Sequence, residues 1–446
     1  MNGLESPVSL SQTDLLLTNA TVLTLDDAGT VFAPGAVAVR GAEILAVGPQ
    51  ADIVARFTAS RTLDCAGCVI LPGLVNSHTH AAMTLFRGLA DDLPLMEWLH
   101  HHIFPAEQKL TAEWVYWGSL LACAEMIRSG TTAFCDMYLW EHAVARAANE
   151  AGMRALLGEV FFDFPSPNYG ALDNGFTFVR EFAETWKNDP RLSIAVMPHS
   201  TYTCGPDTLR RSQQLAEELN LPLHLHLAEN AHETATVKKL YGVRPVRHLE
   251  RLGLLTPRLR AAHCVELTAR EIELFGSRGV KVAHCPESNM KLACGDAPIR
   301  RLLHHGVTVG LGTDGCASNN NLDIFGEMDM CAKLHKLTAR DCSALPAATV
   351  LKLATRHGAA VLGREDRLGQ IRPGFLADLI AVDFRAPHLT PVYDPVSHLV
   401  YSASGADVRH TIVHGRLLME NRRLLTLDED RILAKANEFA ARLKTS

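Results

Sequence analysis

Val69-Ile-Leu-Pro-Gly-Leu-Val-Asn-Ser-His-Thr-His80 is an apolar run that ends in two histidines two positions apart. Side chains on a strand repeat with period two, so His78 and His80 share a face and can hold one metal ion at the strand's end. From this run onward, apolar strands alternate with amphipathic helices, the pattern of βα units on a parallel sheet. Eight strands are expected, near Val69 to Val75, Thr132 to Met137, Ala155 to Phe161, Ser193 to Pro198, Pro222 to Leu227, Leu259 to Cys264, Lys281 to Cys285 and Thr308 to Gly312.

Eight units imply an α/β fold with a TIM-like (β/α)8 barrel over residues 69–365. The first 68 residues read instead as short strands joined by Gly, Asp and Pro turns, and β patterning returns at Ala377 to Val382 and Val408 to Met419. A few short strands cannot bury a core alone. Residues 1–68 and 366–446 are therefore expected to pair into one discontinuous β-sandwich domain, closed by an amphipathic helix from Asp428 to Leu443.

The 446 residues are 47% apolar and carry a formal net charge of −6, with no basic run longer than a pair, which argues against nucleic acid and toward a small-molecule substrate. MNGLESPVSLSQTD lacks the cationic and apolar regions of a leader, and no apolar run approaches a membrane span. A soluble, cytoplasmic homo-oligomer is expected. The eleven cysteines are an odd number scattered along the chain, which favours reduced thiols. Cys65-Ala-Gly-Cys68 has redox or zinc spacing, but no second pair accompanies it and it reads as packed thiols.

Barrel chemistry sits at the C-terminal strand ends. Here those ends carry His78 and His80, His199, His226 with Glu229, His263, His284 and Asp314. So many titratable groups on one rim are hard to attribute to packing. His78, His80, His226 and Asp314 make a plausible set for one zinc or ferrous ion. His224 shares the face of His226 one layer deeper and reads as support rather than ligand. No lysine ends strand four, where VMPHSTY stands, so a carboxylated lysine bridging two metals has no source and one divalent ion is expected.

The stretches PGLVNSHTHAAMTLFRG, HLHLAEN, AAHCVEL, VAHCPESNMKL and GLGTDGCASNNNLDIFGEM resemble the amidohydrolase superfamily, in particular its methylthioadenosine/S-adenosylhomocysteine deaminase branch with its triazine hydrolase and guanine deaminase relatives. The resemblance implies that His78, His80, His226 and Asp314 bind the metal, zinc more readily than iron. It also implies that Glu229 contacts the heterocycle and that His263 orients the nucleophile. Elementary chemistry asks for the same roles: a divalent ion lowers the pKa of water toward 7, Asp314 takes its proton, and Glu229 protonates the ring nitrogen beside the attacked carbon. Pro105-Ala106-Glu107 matches the family's Pro-x-Glu that binds ribose hydroxyls, and His199 matches its substrate-contacting histidine. Some members that accept S-adenosylhomocysteine carry arginines after strand three. Here LLGEVFFDFPSPNYG has Glu159 and Asp163 and no arginine, so methylthioadenosine is the expected substrate and S-adenosylhomocysteine or adenosine the weaker ones.

Alternatives within the same site are a free purine, a pyrimidine or a triazine, none with a diol for Glu107 to engage. A non-catalytic scaffold is a further alternative, opposed by the complete set of expected ligands. Gly310-Leu-Gly312-Thr-Asp-Gly315 fits a dinucleotide fingerprint, but a polar loop follows it instead of a helix and Asp314 belongs to the metal set. Cys285 beside His284 reads as a packed thiol rather than a nucleophile. His100 to His102 cannot share one helix face and reads as a solvated or lid segment.

Overall fold

The computed structural model describes residues 10–93 and 95–445. The leader reading of residues 1–9 and the part of the first long loop at Pro94 lie outside them. Five strands open the chain: β1 (Ser11–Leu23), β2 (Val31–Arg40), β3 (Glu43–Pro49), β4 (Phe57–Asp64) and β5 (Cys68–Pro72). The barrel strands follow as β6 (Leu74–Thr79), β7 (Thr131–Tyr138), β8 (Arg154–Phe161), β9 (Leu192–Ile194), β10 (Met197–Pro198), β11 (Leu223–Leu227), β12 (Leu259–His263), β13 (Lys281–His284) and β14 (Val309–Leu311). The last four, β15 (Leu379–Asp383), β16 (Val408–Val413), β17 (Arg416–Glu420) and β18 (Arg423–Leu424), return to the opening strands.

The first and last groups join in one nine-stranded mixed sheet of order β18-β17-β16-β15-β5-β1-β2-β3, with β4 also on β1. β1 is long enough to pair with β4 through its first half and with β5 at Thr21 and Val22. The sheet therefore folds over itself, and Leu17, Val37, Leu63, Ile70, Leu379 and Ile412 meet in one buried core. Cys65 and Cys68 are part of that core as free thiols, and burial pushes Cys65 up to about 12.

The barrel forms from two parallel arcs, β10-β8-β7-β6 with β9 on β8, and β11-β12-β13-β14. Single bridges from Val196 to Leu223 and from Ser200 to His226 join the arcs on one side. On the other, the Asp314 N–H donates to the His78 carbonyl at 3.0 Å. Position four is shared by the short β9 and β10, where one strand from Ser193 to Pro198 was expected.

One expectation is corrected. Val69 to Val75 is not one barrel strand: Cys68–Pro72 pairs with β1 and β15 in the mixed sheet, and only Leu74–Thr79 enters the barrel. The first barrel strand therefore begins one residue after Gly73, while Cys68–Pro72 stays in the mixed sheet. A Cβ on Gly73 would stand 2.1 Å from Thr132 Oγ1, so glycine lets the chain cross from sheet to barrel against β7. A buried ion pair, Arg154 Nε to Asp378 Oδ2 at 2.7 Å, fastens β8 to the segment leading into β15. No helix among the described residues is long and apolar enough to cross a membrane.

The glycines that mimic a dinucleotide fingerprint have a packing reason. A Cβ on Gly312 would lie 2.8 Å from His78 N and 2.9 Å from His78 O, so β14 can close on β6 only without a side chain there. Gly312→Ala is expected to cost about 1–3 kcal/mol by overpacking. It should lower the urea midpoint of unfolding, and a midpoint equal to that of the parent would contradict the closure contact.

Candidate active site

β6, β11, β12 and the turn after β14 bring five side chains to the C-terminal rim. Donor atoms of His78, His226, His263 and Asp314 lie within 4.8 Å of one another, all buried. His80 joins them, its Nε2 3.1 Å from Asp314 Oδ1 and 3.3 Å from His226 Nε2. The four residues expected as ligands are thus together, with His263 among them.

Each ring is anchored through Nδ1, which leaves Nε2 as the free lone pair. His80 Nδ1 donates to the Met137 carbonyl at 2.6 Å and His226 Nδ1 to the His199 carbonyl at 2.9 Å. His78 Nδ1 is 2.9 Å from His224 Nε2, so His224 stands behind His78 and braces it. His263 Nδ1 donates to Asn289 Oδ1 at 2.9 Å. Such outer partners fix the tautomer that a cation needs.

Asp314 is held from the opposite side. Its Oδ2 accepts from Ser288 Oγ and Ser318 Oγ, both at 2.7 Å, which turns Oδ1 toward His78 and His80. The residue adopts a left-handed backbone, φ 61°, as does His263 at φ 69°. Conformations of that kind persist where the surrounding structure over-determines them. Burial alone would lower His80, yet the neighbouring Asp314 raises it to about 9. Against its own burial, Asp314 is held well below the usual carboxylate range by His78 and His80.

These residues fit a divalent ion. His78 Nε2 is buried with no hydrogen-bond partner, and a cation there would satisfy that lone pair, with donors of His80, His226 and Asp314 beside it.

The cluster forms the floor of a concave pocket with a largely apolar lining and a few convergent polar groups, the kind of place where small molecules bind. Glu107, His199 and Glu229 line it with Trp98, Phe104, Tyr138 and Phe162. Glu229 is fixed through its backbone, whose N–H donates to Glu233 Oε2 at 2.8 Å, and burial raises its carboxyl. Tyr138 donates to Glu107 Oε1 at 2.8 Å. Burial lifts Glu107 to about 7 against that bond. His199 packs on Phe162 with ring centroids 5.0 Å apart, and Thr203 Oγ1 lies 2.8 Å from its Nδ1. His100, His101 and His102 are exposed on a helical turn whose neighbours Trp98 and Ile103 face the cavity.

Sequence reasoning assigned no role to Ser288, Asn289, Ser318 or Tyr138. The one usable signal was the spacing of Asp314 and Ser318, four apart in a turn-rich segment.

A family model described as the amidohydrolase family matches residues 69–418. The chain belongs to the amidohydrolase family. Its divalent metal chemistry is that of the family. This amidohydrolase is 61% identical over 434 residues to the 5-methylthioadenosine/S-adenosylhomocysteine deaminase of Syntrophobacter fumaroxidans, covering 97% of this chain and 99% of that one. It is 46% identical to the 5'-deoxyadenosine deaminase of Methanosarcina mazei, covering 96% and 98%. A solved adenosine deaminase from Xanthomonas campestris with bound zinc superposes with a TM-score of 0.96 at 42% identity, covering 98% of this chain and 100% of that one.

The hydroxyl pair on Asp314 gives a direct test. Ser288→Ala with Ser318→Ala is expected to weaken metal affinity roughly 10- to 100-fold. Competition with a chromogenic chelator measures it, and unchanged affinity would remove the orienting role.

Proposed function

We propose that this amidohydrolase is a hydrolytic deaminase of adenosine derivatives that releases the 6-amino group as ammonia and leaves the inosine analogue. The observation that carries this reading is the pocket that combines the histidine-aspartate cluster, Glu229 and the Tyr138-held Glu107 with an aromatic wall. The names of the relatives support it. We assign zinc to the site, held by His78, His80, His226 and Asp314, in line with the metal bound in the Xanthomonas campestris relative.

Bound there, the ion lowers the pKa of water toward neutrality and so makes hydroxide available at pH 7. The chain's own groups move the protons. Asp314 accepts one from water as oxygen adds to C6, and Glu229 gives one to N1. As the C6–N6 bond breaks, Asp314 passes its proton to the departing amine, and Glu229 recovers the hydroxyl proton of the adduct. His263, held by Asn289, hydrogen-bonds the adding oxygen, a contribution felt as charge develops. Glu107 accepts hydrogen bonds from the two ribose hydroxyls while Tyr138 keeps its carboxylate aimed.

The 5' substituent meets Trp98, Leu99, Ile103, Phe104 and Phe162 in the lining, which among the described residues includes no lysine or arginine. Glu159 and Asp163 supply no charge complement either: Glu159 accepts from the Glu141 N–H and Asp163 from the Gly205 N–H. An amino-acid carboxylate would be buried here without a cation. Methylthioadenosine and 5'-deoxyadenosine are therefore the proposed substrates, ahead of S-adenosylhomocysteine.

Ammonia release from methylthioadenosine, 5'-deoxyadenosine, adenosine, S-adenosylhomocysteine, guanine and a chlorotriazine tests the assignment. The first two should show the highest kcat/KM, and equal efficiency on S-adenosylhomocysteine would sink the preference. Glu107→Ala should raise KM for nucleosides by about 10- to 100-fold, the worth of hydrogen bonds to a charged group. Glu229→Gln should keep its metal and lose about 10²-fold or more in kcat. Near-normal turnover in that variant would refute the proton-donor role.

A further inference from the structure

A second group of donors lies outside the cavity. His284 at the end of β13, and Cys331 and His335 on the helix Ile324–Ala339, are all buried, with one donor atom of each within 4.8 Å of the others. Cys331 and His335 are four apart on that helix, so they share one face. The two imidazoles meet Nε2 to Nε2 at 3.3 Å. That is long for a hydrogen bond, yet it is close to the separation of about 3.3 Å that two nitrogens take around a tetrahedral ion with bonds of about 2.0 Å.

The rest of the environment points the same way. His335 Nδ1 faces Asp296 Oδ1 at 3.2 Å, the carboxylate–histidine pairing that commonly orients a metal-ligating ring. His284 Nδ1 is buried with no hydrogen-bond partner, so His335 is the ring of the pair that has an orienting carboxylate. A thiol and two imidazoles form a donor set for a borderline ion such as zinc.

We propose that His284, Cys331 and His335 form a second, structural metal site, with Asp296 orienting His335. Binding displaces the Cys331 thiol proton to solvent and leaves a thiolate on the ion. The site clips the strand end of β13 to the helix that follows the Asp314 loop. Because the Gly312 N–H donates to the His284 carbonyl at 2.9 Å, the clip braces the chain two residues before Asp314. It does not depend on the substrate assignment.

Cobalt substitution of the metal-depleted full chain tests it, because the rim donors are nitrogen and oxygen alone. The parent should take up about two equivalents and show a thiolate-to-cobalt charge-transfer band in the near ultraviolet. Cys331→Ser should lose the band and one equivalent while keeping the rim metal. His335→Gln should do the same without removing the thiol. One equivalent and no band in the parent would overturn the proposal without recourse to any variant, as would a band that survives Cys331→Ser.

Discussion

The contact on which the architecture turns is the hydrogen bond from the Asp314 N–H to the His78 carbonyl, made across the line where the last barrel strand meets the first. It closes the ring of strands and also sets the distance between the carboxylate and the paired histidines. Gly312 makes it feasible by leaving no side chain against the His78 backbone. The left-handed turn at Asp314 then points its carboxylate into the barrel mouth, where Ser288 and Ser318 hold one oxygen and release the other toward the rings. Fold closure and chemistry are thus one geometric event.

Around that contact the site is arranged by division of labour. Backbone carbonyls of Met137 and His199 hold His80 and His226, while the side chains of His224 and Asn289 hold His78 and His263. The two rings held by carbonyls depend on strand register, and the two held by side chains depend on neighbouring core residues. The pocket-lining carboxylates are supported separately: Glu107 leans on Tyr138 of β7, and Glu229 on Glu233 in the following helix. Changes in the pocket wall can therefore accumulate without loosening the rim histidines and Asp314.

Much of this was legible in the chain because strand periodicity is local. His78 and His80 two apart, His226 with Glu229 three beyond, and Asp314 after an apolar strand each announce a position on a rim. The crossing at Gly73 was not legible, since Cys68–Pro72 and Leu74–Thr79 are both apolar and only Thr132, some sixty residues on, shows why glycine separates them. The hydroxyls on Asp314 were hidden for another reason: serines are common, and only Ser318, four beyond Asp314, had a spacing that could suggest it, while Ser288 lies twenty-six residues away. His284 was visible as a strand-end histidine, but its meeting with Cys331 and His335 depends on how the helix after β14 packs against β13.

The sheet that mixes β5 with β15 has a consequence for the order in which the chain can assemble. Of its first five strands, β5 leaves the ribosome long before its partner β15 exists, since about 300 residues separate Pro72 from Leu379. At about 5–20 residues per second that interval lasts on the order of 15–60 s. During it the free edge of β5, with its run Cys-Val-Ile-Leu-Pro, stays uncovered by β15, and the Arg154 guanidinium waits for Asp378. The β5 edge and the Arg154–Asp378 pair are thus among the last contacts of the sheet that synthesis allows to form.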